Sequence, residues 1–358
     1  MLGALAVIFS SAVGVCAAVK TDEKAAAALP SDVRVSSRIL EFLFGKGSAA
    51  LKNKEGEAQA TLCPGGDIFG MRLKTGNVSV AGSEVASIKA GDVISAINGR
   101  SVSTVEDVKA VLKGFSGGEL TLEILRGTER MTVRMTPERT GDEYRLGLSL
   151  RDGAAGIGTV TFYDPESGLF GGLGHAICSS DSQEPVKMTD GYVCGVILGG
   201  AKKGEVGKPG ELCGVLTNDS HGELYSNTEC GVFGKLDKDF LAERGTLTVA
   251  HRSEVHEGDA TIISTLKNGK KAEYSVKLFD VDTSSVGTKS FKVKVTDEVL
   301  TALTGGIVRG MSGSPIIQDG KLVGAVTHVL VANPTEGYGI FIENMLNAAE
   351  NQVQPKAA

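Results

Sequence analysis

The chain has 358 residues, among them 48 glycines and no tryptophan, with 5% aromatic side chains and a formal net charge of −6. That length has room for two cored domains and a short leader. The acidic balance and the scarcity of aromatic rings argue against a phosphate-tracking groove or a base-stacking platform, so nucleic acid is not an expected partner.

Residues 1–20 open the chain with an uncharged, mostly apolar run from Leu2 to Val19, followed by Lys20 and Lys24. Such a run is a signal segment or a single anchor helix just long enough to span a bilayer. Residues 21–58 are a connector with one amphipathic stretch, Ile39 to Leu43. Residues 59–138 form a first domain. In it Lys89-Ala90-Gly91-Asp92 is a turn, Val93 to Ile97 a short apolar strand and Asn98-Gly99 a second turn. Thr104 to Asp107 has the form of a capping box, and Val105, Val108 and Leu112 fall on one face of the helix it opens. Gly118 to Leu125 and Met131 to Met135 alternate as two strands around Arg126-Gly127. This order resembles the core of a PDZ domain. On that resemblance Ile68, Phe69, Gly70 and Met71 form the loop whose amides receive a peptide C-terminus, or a piece of the chain itself, beside an open strand edge.

Residues 146–347 form a second, glycine-rich domain, and 348–358 a frayed tail. Gly207 to Leu212 belongs to loops of a first barrel, and Lys202-Lys203 is a solvated turn. Thr261 to Thr265 and Ala272 to Val276 pair about Asn268-Gly269. Near the end, Gly310-Met311-Ser312-Gly313-Ser314-Pro315 precedes two apolar strands joined by Asp319-Gly320. Glycines on both sides of Ser312 let the chain turn tightly, so the Gly310 and Ser312 amides can converge as an oxyanion hole and Ser312 can act as a nucleophile.

A serine hydroxyl needs a base. Of five histidines, His175 stands in Gly171-Gly172-Leu173-Gly174-His175, after an apolar run and among glycines that permit close approach. His221, His251 and His256 lie in polar, turn-rich sequence and are surface residues. His328 follows Thr327, where the pair lines a specificity pocket or simply ends a strand. The carboxylate that orients the base is open between Asp297, Asp181 and Asp190, and Asp297 also suits a helix cap before Glu298 to Leu303. The six cysteines contain no Cys-x-x-Cys pair, so no metal site is expected. Cys178, three residues past His175, is a small buried residue rather than a second nucleophile.

Residues 172–177, 227–234 and 305–316 together resemble the stage IV sporulation protein B peptidases, in a match from about residue 60 to 347. The resemblance implies a mostly β chain: a PDZ domain followed by a trypsin-like double β-barrel, behind an N-terminal anchor helix. It implies a catalytic serine at Ser312, its histidine at His175 and its aspartate at Asp297, with no cofactor. The implied setting is extracytoplasmic, in the intermembrane space of the forespore. There such an enzyme cleaves a membrane-associated protein partner, and itself, to activate a downstream processing protease. Met311 departs from the aspartate that trypsin-like enzymes carry before the serine, so activation by a buried N-terminal ammonium is not available. The competing expectation is a PDZ-type binding protein whose peptidase fold is a non-catalytic scaffold.

Overall fold

The computed structural model describes residues 51–52, 58–179, 183–240, 245–266 and 269–352. The apolar start, most of the connector, Asp181, Asn268 and residues 353–358 lie outside the described residues. No helix among the described residues is long and apolar enough to cross a membrane.

Two antiparallel barrels make up most of the molecule. The first begins with β1 (Thr61–Pro64) and β2 (Ile68–Ser83). Inserted next are β3 (Val93–Ile97), α1 (Val105–Lys113), β4 (Leu120–Arg126) and β5 (Glu129–Met135). The chain returns through β6 (Leu148–Tyr163), β7 (Leu169–Gly172), β8 (Asp190–Lys202), β9 (Glu211–Thr228) and β10 (Gly231–Leu236). The pairing order β6-β7-β10-β9-β8-β2 closes on itself through a β2–β6 ladder, leaving no edge inside the ring. Its interior follows from strand alternation: Phe69, Met71 and Leu73 of β2 all point inward with Val160, Phe170, Val193, Leu224 and Val232.

Ile68 to Met71 are therefore not a carboxylate-binding loop. They pair with Thr159 to Gly156 on one side, and Gly70 and Met71 with Cys194 and Val193 on the other. Their amides belong to barrel ladders, and Phe69 and Met71 are core residues.

The order of domains also differs from the expectation. The far half of β2 still pairs with β6, Val80 opposite Leu150 and Ser83 opposite Leu148, while its other edge takes β3. The PDZ-like unit is thus an insertion between two long strands of the first barrel, not a domain that precedes it. Within that unit the local expectations hold. Thr104 and Asp107 form the capping box of α1, Val108 is buried, and β4 and β5 pair around Arg126 and Glu129. Asp92, 1% exposed, is held by Arg126 at 2.7 Å, a contact that lowers its pKa.

The second barrel is closed by β11 (Gly258–Thr265), β12 (Lys271–Phe279), β13 (Phe291–Val295), β14 (Pro315–Gln318), β15 (Lys321–Leu330) and β16 (Asn333–Phe341). Asp319 at φ 51 and Gly320 at φ 73 make the left-handed two-residue turn that an Asp-Gly pair favours. Helix α2 (Glu298–Thr304) leads into the serine loop, and α3 (Ile342–Gln352) ends the described chain. The expected tail is therefore helical as far as Gln352. Met345, Leu346 and Ala349 of α3 pack with Leu62, Phe162 and Phe233 of the first barrel and Leu322 and Ile340 of the second.

Instead of forming only first-barrel loops, the β8–β9 hairpin reaches across. Gly204 N donates to Thr304 O at 2.7 Å, and Leu212 sits in the second-barrel core. At the hairpin's base Lys202 is a solvated residue paired with Glu211.

A chain starting at residue 142 lacks β2 and leaves the facing edges of β6 and β8 unpaired. It should fail to give near-ultraviolet circular dichroism and a cooperative melt, whereas a chain starting at residue 59 should give both. Equal melting of the two would show that β2 is dispensable.

Candidate active site

Ser312 lies in the loop between α2 and β14. The hydrogen bonds of this loop alternate in a way that exposes two donors. Its carbonyls are held in series: Arg309 O by Leu212 N, Gly310 O by the Thr159 hydroxyl at 2.8 Å, and Met311 O by Ser314 N. Ser312 O is held by Thr159 N at 3.0 Å, and Gly313 O by the Thr161 hydroxyl at 2.8 Å. A peptide is planar, so fixing a carbonyl fixes the N–H on its opposite side. The amides of Arg309, Met311, Gly313 and Ser314 also have backbone acceptors. Those of Gly310 and Ser312 donate to no other described residue. These are the two amides that sequence reasoning assigned to an oxyanion hole. Met311, 0% exposed, packs in the second-barrel core, where a carboxylate would need a buried partner.

The His175 segment is pressed against this loop. A Cβ on Gly313 (φ +94) would fall 2.5 Å from Leu173 N and 2.0 Å from Thr159 O, so only glycine fits there. Leu173 holds φ 66, a strained conformation for a leucine, worth on the order of 1–3 kcal/mol, immediately before the histidine turn. Asn227 clamps the far side of that turn, accepting from Ile177 N at 2.8 Å and donating to Ile177 O and Val186 O at 2.9 Å.

Thr327 ties the His175 segment to Ser312. Its carbonyl accepts the Ser312 hydroxyl at 2.7 Å, and its side-chain methyl lies 2.9 Å from where a Cβ on Gly174 would stand. His175 Nδ1 lies 2.8 Å from Ala176 O, which assigns the proton to Nδ1 and leaves the Nε2 lone pair available. The His328 ring sits 5.0 Å from the His175 ring. Burial lowers the pKa of His175 from 6.5. Burial, then repulsion from His175 and Lys289, lowers that of His328 to about 3. Both rings are therefore neutral at neutral pH.

Asp297 does not join them. Its carboxylate caps α2, accepting from Leu300 N at 2.8 Å, and also accepts from Ser275 N at 3.3 Å. The group holding His175 Nδ1 is the neighbouring carbonyl instead. The cap is a local, three-residue interaction, and it claims this side chain. Asp190 pairs with Lys74 at 3.4 Å on the surface. His251 caps a short 3₁₀ turn, His256 meets Asp319 at 2.8 Å, and His221 lies against Phe240. Cys178 is buried, with Sγ 3.9 Å from Ala176 O.

Sequence reasoning passed over Thr159 and Thr161. The signal was present: two hydroxyls at i and i+2 fall on one face of the apolar end of the strand, Ile157 to Tyr163, and both are 0% exposed. Asp297→Ala should lower stability by about 1 kcal/mol and Asp297→Asn by much less, since asparagine caps nearly as well. Thermal melts of the two variants check this, and equal loss in both would remove the cap as the reason for this residue.

Comparison with known proteins places this geometry. A family model described as SpoIVB peptidase S55 matches residues 142–346, and a PDZ domain model matches residues 83–126. A curated protein described as a zinc metalloprotease, LL2128 of Lactococcus lactis subsp. lactis (strain IL1403), is 36% identical over 63 residues. Those residues are 18% of this chain and 15% of that protein. Among solved structures, the HtrA-type protease AlgW with a decapeptide aligns at TM-score 0.34 and 10% identity, covering 64% of this chain and 55% of that one. An inactive serine-to-alanine mutant of Rv3671c from M. tuberculosis H37Rv aligns at TM-score 0.34 and 10% identity, covering 56% and 84%. The chain thus spans only part of the curated relative and of the first structure. The family model, in contrast, takes in more than half of the chain, including His175, Asn227 and the Ser312 loop: the chain belongs to the SpoIVB peptidase S55 family.

Proposed function

We propose that this chain is a serine endopeptidase. Ser312 Oγ attacks the scissile carbonyl, His175 Nε2 takes the hydroxyl proton and returns it to the leaving amine, and the Gly310 and Ser312 amides bind the oxyanion. The observation that carries the reading is the pair of amides without acceptors in a loop whose other peptides are all engaged. Before attack the Ser312 hydroxyl must leave the Thr327 carbonyl and turn to His175. The reading calls for no cofactor.

The setting is also a proposal. The enzyme is anchored by its apolar start on the outer side of a membrane, in the intermembrane space of the forespore. There it cleaves a membrane-associated protein partner to switch on a downstream protease during endospore formation, and it cleaves its own chain ahead of the described residues. Peptide binding in the PDZ unit moves from Ile68–Met71 to the edge of β6 at Leu148–Asp152. Among the described strands that stretch pairs with β2, and α1 is attached to it through Val105 N to Asp152 Oδ2 at 2.8 Å. A peptide, or a piece of the chain itself, adds there as a strand.

One observation favours the scaffold alternative: the Ser312 hydroxyl rests on a carbonyl rather than on His175. A fluorophosphonate probe separates the two. Labelling at Ser312 that is lost in His175→Ala is expected, and no labelling of the folded wild type would favour the scaffold. The base must be neutral to accept a proton, and burial lowers the His175 pKa. The acid limb of the labelling rate should therefore have its midpoint below 6.5; a midpoint above it would count against His175. Self-cleavage predicts fragments that disappear in Ser312→Ala.

A further inference from the structure

Three contacts at the site converge on one residue that touches no substrate. Thr159, in the middle of β6, is 0% exposed. Its hydroxyl donates to Gly310 O, its amide to Ser312 O, and its carbonyl accepts from Leu173 N at 3.2 Å. The same carbonyl is the wall that Gly313 approaches too closely for any Cβ. One residue of the first barrel therefore touches the peptides on both sides of the nucleophile and the segment that carries the base.

We propose that Thr159 is a positioning residue for the oxyanion hole, acting through its hydroxyl on the Gly310 carbonyl; the inference rests on the peptidase reading above. Gly310 sits at φ +98, a region where glycine moves freely, so its own backbone preference does not hold the loop. Two hydrogen bonds hold it instead. Leu212 N fixes the peptide before Gly310 through Arg309 O, and the Thr159 hydroxyl fixes the peptide after it through Gly310 O. The Gly310 N–H belongs to the 309–310 peptide held by Leu212 N, and the Ser312 N–H to the 311–312 peptide held by Ser314 N; the 310–311 peptide that the Thr159 hydroxyl holds is the link that sets the two donors relative to each other. Without the hydroxyl, Gly310 O is a part-buried acceptor that has lost its side-chain donor. The 310–311 link then gains by rotating toward another donor, and the Gly310 and Ser312 amides on either side of it lose their common aim. The bonds through Thr159 N and O are backbone bonds and survive substitution. The hydroxyl can therefore be tested alone.

The experiment uses the full chain as wild type, Thr159→Val, Thr159→Ser and Ser312→Ala, with a fluorophosphonate as the probe. The measured quantities are the maximal labelling rate at Ser312, the probe concentration giving half of it, the acid-limb midpoint and the melting temperature. Valine keeps the shape and removes the donor; serine keeps the donor and removes the methyl. Deleting a direct oxyanion donor costs about 10²–10³-fold in rate, so an indirect one should cost about 10- to 100-fold. The expected result is that loss in the maximal rate of Thr159→Val, with half-saturation and acid-limb midpoint unchanged and the rate restored in Thr159→Ser. A folded Thr159→Val that labels at the wild-type rate overturns the inference. So does a Thr159→Ser as slow as the valine variant, because packing of the methyl would then be the cause. If Thr159→Val does not fold, Thr159→Cys keeps a weaker donor and should give a smaller loss; a wild-type rate in it overturns the inference equally. Wild type that folds without labelling at Ser312 overturns the peptidase reading and this inference with it, and that outcome is visible before any variant is compared.

Discussion

Gly313 lies so close to β6 that a Cβ on it would fall 2.0 Å from the Thr159 carbonyl oxygen, and this approach sets the relation between the two barrels at the site. The serine loop belongs to the second barrel and the histidine segment to the first, so neither barrel contains a complete site. Their contact is polar and specific: Thr159 and Thr161 of β6 hold three carbonyls of the loop, those of Gly310, Ser312 and Gly313. Apolar packing around Met345 and Leu346 of α3 brings the barrels together. The hydrogen bonds then fix their register, because a buried carbonyl without a donor is costly.

The strand that makes these bonds has a second attachment. Seven residues before Thr159, Asp152 caps the first turn of α1 in the PDZ unit, and Thr75 on the partner strand donates to its carbonyl at 3.0 Å. β6 therefore runs without a break from the helix that borders the PDZ edge to the carbonyls beside Ser312, with β2 paired along it. An insertion carried on two long paired strands is held more firmly than one on a flexible linker, since strand register, with alternate residues committed to a core, cannot slip by one position. The expected string of separate domains is replaced by one pair of long strands, bulged between Arg151 and Gly153, with the PDZ unit at one end and the Ser312 loop at the other.

Partial burial, rather than a buried ion pair, sets the electrostatics around His175 and His328. His175 and His328 lie ring to ring, and burial holds both neutral. A neutral base bound through Nδ1 to a carbonyl has its free lone pair on Nε2, the atom that general-base chemistry needs. A buried ion pair exists elsewhere. Arg252 donates to Glu343 at 2.6 Å and to Asn344 at 2.8 Å and so fastens the start of α3 to the second barrel. Such a pair anchors one arrangement of chain, and breaking it would leave a charge without a partner.

Much of this was legible from residue order. The Asp-Gly and Asn-Gly turns, the Thr104–Asp107 capping box, the pairing of β4 with β5, and the glycines around Ser312 are interactions among near neighbours, and near neighbours are what a sequence displays. Family membership followed from three short motifs for the same reason. What the order of residues did not settle were contacts between distant segments. Ile68 to Met71 was expected as a loop by resemblance to a PDZ domain, yet two strands more than 80 and 120 residues downstream take it as a barrel strand. Asp297 suits both a cap and a catalytic acid, and the nearby amide of Leu300 holds it. Thr159 reaches Gly310 across 151 positions. Residue order was enough for the turns, the Thr104–Asp107 cap and the expectation that Ser312 and His175 act together. Which strands close the barrel and which hydroxyl holds the Ser312 loop were chosen only on folding, because those choices depend on which distant donors and acceptors meet when the core is buried.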